Sequence, residues 1–407
     1  MVRLAPYLPE SVERPTQLLR LLFSHSVMNR ATGDVEDEDQ QMLCLRSTER
    51  LLPECFTKAA SWNWFSDNKD VLARQWLSQL ETVFANNLHG LTWLDDLNAL
   101  FVRYRLKRGP TVRLMDYDGE CLPSSAEELS RTNALDFFLE VAKLRQKQRI
   151  NGIISGDADL LRHPETSVLH PYATLDAPHR VMLVPSGLFN DSVPMNSSVF
   201  AFHLSRVGTR VYRTLVHVLF EDPYELEAPL RNIGTGINMK QAVDSLKQCL
   251  LVDARSPYPH SLPPGDEAVK KELLENAVAL GFTYRAFREL LHVRRIWNLD
   301  FRYKGLGNLT ADHLFFIYFA LDHCEVADQA YTSAHRSTLT AEQTVNLAVR
   351  SVPAFRDTFG CTGSTKSNSQ NSPPCRFQTS DDLKGSLKFQ RRLGWSAKQD
   401  KYKYCKY

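Results

Sequence analysis

No stretch of this sequence is apolar for long enough to cross a bilayer. The longest strongly apolar run, Leu314 to Leu321, has eight residues, against the roughly 20 that a membrane helix needs. The first thirty residues lack the basic start, apolar stretch and small-residue cleavage site of a secretory signal. An excess of either charge is missing too. The 407 residues carry 49 Lys+Arg against 47 Asp+Glu, a net charge of +2, which excludes nucleic-acid binding through a global positive field. None of the eight cysteines forms a CxxC pair, so zinc-ribbon and thioredoxin-type chemistry has no support. There are no internal repeats. The sequence also contains no His-Glu-x-x-His motif, which would set two imidazoles one helical turn apart with a water-activating Glu between them.

What is present is an ordinary globular composition, 43% hydrophobic and 24% charged, long enough to bury a large core. Helical periodicity is clearest over 66–106. There Val71, Leu72, Trp76, Leu77, Leu80, Val83, Phe84, Leu88 and Leu91 recur at three and four. Asp67 is an expected N-cap, Gly90 a break, and 92–106 a second helix. Helices are also expected over 125–149, Ser205–Phe220, Glu267–Val293 and Ala311–Cys324, the last apolar almost all round and so buried. Val181-Met-Leu-Val184, β-branched and lying between Pro178 and Pro185, reads as a strand. The class is mainly α with a minor β-sheet. Residues 362–374 form a polar loop between Cys361 and Cys375, and 379–407 a basic tail expected to be disordered. Asn190, Asn196 and Asn308 head N-x-S/T sequons, glycosylation acceptors if the chain enters the secretory pathway.

Several segments in order carry a resemblance. They are Leu91-Thr-Trp-Leu-Asp-Asp96, Val184-Pro-Ser-Gly-Leu188, Glu275-Asn276 within a helix, Gly305-Leu-Gly-Asn-Leu-Thr-Ala-Asp-His-Leu-Phe-Phe316, Ala354-Phe-Arg-Asp-Thr-Phe-Gly-Cys361 and Cys375-Arg-Phe377. Together, over roughly residues 40–378, they resemble the neprilysin and endothelin-converting-enzyme family of zinc metallopeptidases. The resemblance implies a zincin-like catalytic domain incomplete at its N-terminus. Residues 1–160 would be a helical portion resembling the end of the family's N-terminal peptidase domain, and 161–378 the C-terminal peptidase domain. It implies a disulfide between Cys249 and Cys375. It also implies that Cys324, Cys361 and one of Cys44 or Cys55 match cysteines whose partners lie in an N-terminal segment absent from this sequence. An extracellular or cell-surface location follows from the same resemblance.

The family's zinc site falls on Val207-Gly-Thr-Arg-Val-Tyr-Arg-Thr-Leu-Val-His217. By that resemblance His217 takes the second histidine position and Glu275 the third-ligand position. Arg213 stands at the first histidine, Thr214 at the catalytic Glu, and Ala279 at the Asp that orients a ligand. Tyr172-Ala-Thr-Leu175 occupies the substrate-backbone segment, with Ala173 and Thr174 the weak counterparts of its binding residues. The late His and Arg fall near Thr338, with His335 close by, and on Thr344. Zinc, the family's cofactor, is therefore expected to bind weakly or not at all. Arg213 is expected to pair with Glu275 in its place. The resulting expectation is a catalytically inactive family member, binding peptides or proteins in the former cleft. The alternatives are an active zinc metalloendopeptidase acting on small extracellular peptides, and an unrelated helical interaction protein.

Overall fold

The computed structural model describes residues 49, 52–64, 69–91, 93–94, 96–107, 109, 111–115, 134–155, 168, 172–176, 180–189, 203–221, 235–255, 257–258, 262–263, 266–293, 307–324, 339–360 and 375. Asp67, Cys44, Cys361, Asn190, Asn196, His335, Thr338, the 362–374 loop and the 379–407 tail lie outside them.

Ten helices are seen among the described residues: α1 Pro53–Trp64, α2 Lys69–Asn87, α3 Asp96–Lys107, α4 Ala134–Ser155, α5 Thr209–Val216, α6 Thr235–Arg255, α7 Asp266–Val293, α8 Ala311–Asp322, α9 Ala341–Arg350 and α10 Pro353–Phe359. Single π turns, Leu204–Gly208 and His217–Glu221, extend α5 at both ends. Three short strands, β1 Thr111–Leu114, β2 Thr174–Asp176 and β3 Val181–Val184, form one sheet in the order β1-β3-β2. The mainly helical class with a minor sheet is the one the sequence implies, and β3 has the expected bounds.

Four helices depart from the expected pattern. The 125–149 helix runs on to Ser155, and residues before Ala134 are outside the description. In α2, Val71 is exposed rather than part of the buried stripe, because the stripe begins at Ala73 and Trp76. Helix α8 is not buried all round: Ala311, Leu314, Phe315, Phe316 and Phe319 turn inward while Leu321 is exposed. Helix α6 was not anticipated.

The chain divides into two compact units. One contains α1, α4, β2 and the Ser186–Phe189 turn. In it the buried carboxylate of Glu49 accepts the Val168 amide at 2.8 Å, and Val168 packs with Met115 and Phe56. A buried acid placed to satisfy a backbone donor avoids the cost of leaving either group unpaired.

The other unit holds α2, α3 and α5–α10. Helix α7 runs through its middle, with every residue from Leu273 to Phe287 buried. A helix buried on all faces is stable only when neighbours cover each face, and α5, α6 and α9 all pack on α7. Phe84 of α2, Tyr212 of α5 and Phe282 of α7 form an aromatic cluster, with Phe84–Phe282 centroids 4.4 Å apart and Phe84–Tyr212 5.6 Å. The Tyr212 hydroxyl donates to the Leu80 carbonyl at 2.8 Å, so the ring is buried without an orphaned donor. Gly208 allows α5 and α7 to approach closely, since a Cβ there would stand 2.9 Å from Thr283 Cγ2.

Helix ends in this unit are chemically specified. Thr310 caps α8 and Thr340 caps α9, each in a reciprocal capping box with the residue three positions on, His313 and Gln343. Pro353 opens α10, and Gly360 closes it in the left-handed region at φ 66°. A disulfide joins Cys249 on α6 to Cys375, Cα atoms 5.9 Å apart, the pairing that the resemblance implies.

Candidate functional site

Burial of Val207, Val211, Tyr212, Leu215 and Val216 sets the rotation of α5 and its π turns. The opposite stripe then carries Arg206, Arg210, Arg213 and His217, spaced four, three and four. The far end of this helix is anchored by Arg105, itself 3% exposed, whose Nη1 donates to the Leu219 carbonyl at 2.8 Å. A guanidinium at a helix C-terminus satisfies carbonyls left without an in-helix partner and complements the dipole.

Each member of the stripe meets an acid. Arg213 Nε donates to Glu275 Oε2 at 3.2 Å, and its Nη2 lies 3.9 Å from Glu272 Oε1. His217 Nδ1 donates to the other oxygen of Glu275, Oε1, at 2.9 Å. One turn back, Arg210 grips Asp322 at the end of α8 through Nε at 3.1 Å and Nη2 at 2.9 Å. Arg206 Nε reaches the same carboxylate at 3.2 Å. Arg213, His217 and Glu275 are thus brought together, and the Arg213–Glu275 pair expected from the sequence is present.

Burial alone would raise the Glu275 carboxyl, but the His217 hydrogen bond and the Arg213 charge outweigh it and hold the group below its ordinary value. Glu272 goes the other way. Burial pushes it up, and the Leu339 amide, donating to Oε2 at 3.0 Å, offsets only part of that. His323, next to Asp322, is held down chiefly by burial, with Nδ1 on the Phe319 carbonyl at 2.9 Å.

The remaining expected positions carry no acid or base. Thr214 donates its hydroxyl to the Arg210 carbonyl at 3.3 Å, a bond within its own helix. Ala279 is fully buried, and its carbonyl accepts the Thr283 hydroxyl at 2.7 Å. Thr344 is buried in the first turns of α9. Ala173 is buried in the other compact unit and Thr174 opens β2 there. Asn308 is exposed in the turn before α8. Cys55 is a buried thiol and Cys324 an exposed one. Sequence reasoning missed Arg206, Arg210, Asp322 and Glu272. The first two were open to it, because their spacing puts them on the His217 face. The acids were not, because only packing brings α7 and α8 to that face.

Among the described residues no group of three or more His, Cys, Asp and Glu side chains is placed to hold a metal ion. The donor set at Glu275 is one imidazole, one carboxylate and one guanidinium, and zinc takes nitrogen, sulfur or oxygen lone pairs from three protein ligands in a catalytic site. A guanidinium has no lone pair to give.

The fold is mainly helical with one small sheet, as in zincin-like domains, and within it α5 and α7 bring an imidazole and a carboxylate together. Residues 263–375 match the model of peptidase family M13. Among solved structures the chain is similar to the Haemonchus galactose containing glycoprotein complex, at 15% identity, TM-score 0.59, and coverage of 79% of this chain and 52% of that one. It is similar to the Mycobacterium tuberculosis zinc metalloprotease Zmp1 in complex with inhibitor, at 13% identity, TM-score 0.57, and coverage of 84% and 51%. PepO from Lactobacillus rhamnosis gives 15% identity, TM-score 0.55, and coverage of 83% and 50%. The chain spans about half the length of these relatives. No curated protein matches it significantly. The match sets aside the reading as an unrelated helical protein.

Proposed function

We propose that this chain is a peptide- or protein-binding member of the M13 family in which the zinc site has been replaced by an ion-pair cluster, so that it does not cleave its ligand. The observation that carries this reading is the shared Glu275 carboxylate, with one oxygen on Arg213 at 3.2 Å and the other on His217 at 2.9 Å. Both donor oxygens of the one acidic ligand are already engaged. A zinc ion placed about 4 Å from the Arg213 charge would meet repulsion on the order of 8 kcal/mol at an effective dielectric near 20. The residues present therefore do not fit the family's metal, and no catalytic step is routed through it.

The hydrolytic apparatus fails independently. Thr214 has no carboxylate with which to activate water, and Thr344 offers no cation to a developing oxyanion. Each such loss removes roughly two to four decades of rate. What the fold keeps is a scaffold related to peptidases, and its ligands in this reading are peptides or proteins. The Cys249–Cys375 bridge supports an extracellular or cell-surface location, since such bonds persist in oxidising compartments.

Metal analysis of the purified chain beside a broad peptide-cleavage assay, with a chelator control, tests the reading. Sub-stoichiometric zinc and no chelator-sensitive cleavage are expected. Stoichiometric zinc with chelator-sensitive cleavage would overturn it and establish an active zinc metalloendopeptidase.

A further inference from the structure

We propose that Asn308 is N-glycosylated. The inference rests on the extracytosolic reading above and assigns a modification site within it. Asn308-Leu309-Thr310 is a sequon with no Pro at its middle position. The structure divides its three residues by role. Asn308 is exposed in a turn together with Gly307, while Leu309 and Thr310 are half-buried. A Cβ built on Gly307 would meet nothing within 4 Å, so the backbone next to Asn308 is open on that side. Thr310, in extended backbone at φ −78° and ψ 170°, points its hydroxyl at the first turn of α8 and caps it. A glycan on Asn308 therefore projects from an exposed residue of a chain anchored two residues further on, at the Thr310 cap. The disulfide at Cys249–Cys375 is an independent sign of the compartment in which glycan transfer occurs.

The donor class is a polyprenyl-pyrophosphate-linked oligosaccharide. A bond forms between Asn308 Nδ2 and the anomeric carbon of the first sugar. The bond from that carbon to the pyrophosphate oxygen breaks, the lipid pyrophosphate leaves with the electron pair, and the amide gives up one proton.

Thr310 serves both the sequon and the helix cap, which makes the test sharp. The full chain is expressed behind an added cleavable secretory leader in eukaryotic cells, with Asn190→Gln and Asn196→Gln removing the other sequons. Its mobility is read on total cell protein before and after an endoglycosidase. One glycan-dependent shift is expected in this parent. It is lost in Asn308→Gln and in Thr310→Asp, and kept in Thr310→Ser. Thr310→Asp retains a capping oxygen, so its melting temperature is expected to stay with that of unglycosylated Asn308→Gln. Absence of a shift in the parent, or a shift surviving Asn308→Gln, overturns the proposal. Because the leader delivers the chain to the compartment, such a failure counts against Asn308 alone. Localisation of the protein in its native cells tests the extracytosolic reading separately.

Discussion

Arg213 and His217, one helical turn apart, bind opposite oxygens of a single carboxylate, that of Glu275, at 3.2 and 2.9 Å. The carboxylate side chain is 9% exposed and the guanidinium 26%. The pair therefore lies between a surface bridge, worth little, and a buried one, whose rupture is costly. Its main physical consequence is that removing the acid takes from both donors their shared, mostly buried acceptor.

Glu275→Ala is accordingly expected to destabilise the fold by about 1–3 kcal/mol, the buried-pair cost discounted for the partial exposure of Arg213. A fall in melting temperature of several degrees should accompany it. An unchanged melting temperature would show that Arg213 and His217 find other partners and that the cluster is not a strut.

The same carboxylate shapes acid stability. Glu275 is held below its ordinary value of 4.5. Its contribution is therefore present above that value and is lost as pH falls through the lower folded-state value. Glu272, raised above 4.5, has the opposite sign: it favours the fold when protonated, and that contribution fades as pH rises through its folded-state value. Melting curves between about pH 6 and pH 3 should show a shallower acid decline in Glu275→Gln than in the parent, and a steeper one in Glu272→Gln. Parallel curves for all three proteins would contradict both assignments.

The disulfide closes a separation of 126 residues between α6 and Cys375. In the chain-entropy account, a loop of that size stabilises the fold by close to 5 kcal/mol, and removing natural bridges commonly costs about 2–5. Cys249→Ser, or reduction under native conditions, should lower the melting temperature markedly. Mass spectrometry of a non-reduced digest that recovers Cys249 and Cys375 as separate thiol peptides would refute the bridge.

Gly208 is predicted to be sensitive for a different reason. Gly208→Ala places a methyl group 2.9 Å from Thr283 Cγ2, and overpacking of this sort costs about 1–3 kcal/mol. Thr283→Ser removes the colliding methyl and keeps the hydroxyl that donates to the Ala279 carbonyl. The double variant should then recover much of the loss. Strict additivity of the two substitutions in chemical denaturation would show that the helices do not meet there.

Much of the architecture was legible along the chain. The 3.6-residue periodicity marks α2, α3 and α7, because a face that must be buried repeats at the period of its backbone, and the short apolar run 181–184, with Val at both ends, marks the central strand. Helix α9 carries a legible start in Thr340-Ala-Glu-Gln343, a capping-box spacing. Helix α6 was missed although Val243, Leu246 and Leu250 repeat at three and four. At the site, the i, i+4 relation of Arg213 and His217 and the membership of Glu275 were legible from motif order. The part played by Glu272 was not, since nothing local to it announces that Leu339 donates to one oxygen while Arg213 approaches the other. Nor does the sequence near Asp322 say that two arginines more than a hundred residues earlier will grip it.

The sequence by itself determined which side chains α5 offers on its polar stripe, because helical spacing is a property of the local backbone. It also determined that no His-Glu-x-x-His is available to hold a metal. Only the tertiary structure decided what that stripe meets. Whether an arginine stands against a carboxylate or against water depends on how α7 and α8 pack on α5, and that is settled by apolar burial distributed over the whole unit. An arginine is written at position 213, but what it does was set by Glu275, 62 residues away along the chain and 3.2 Å away in space.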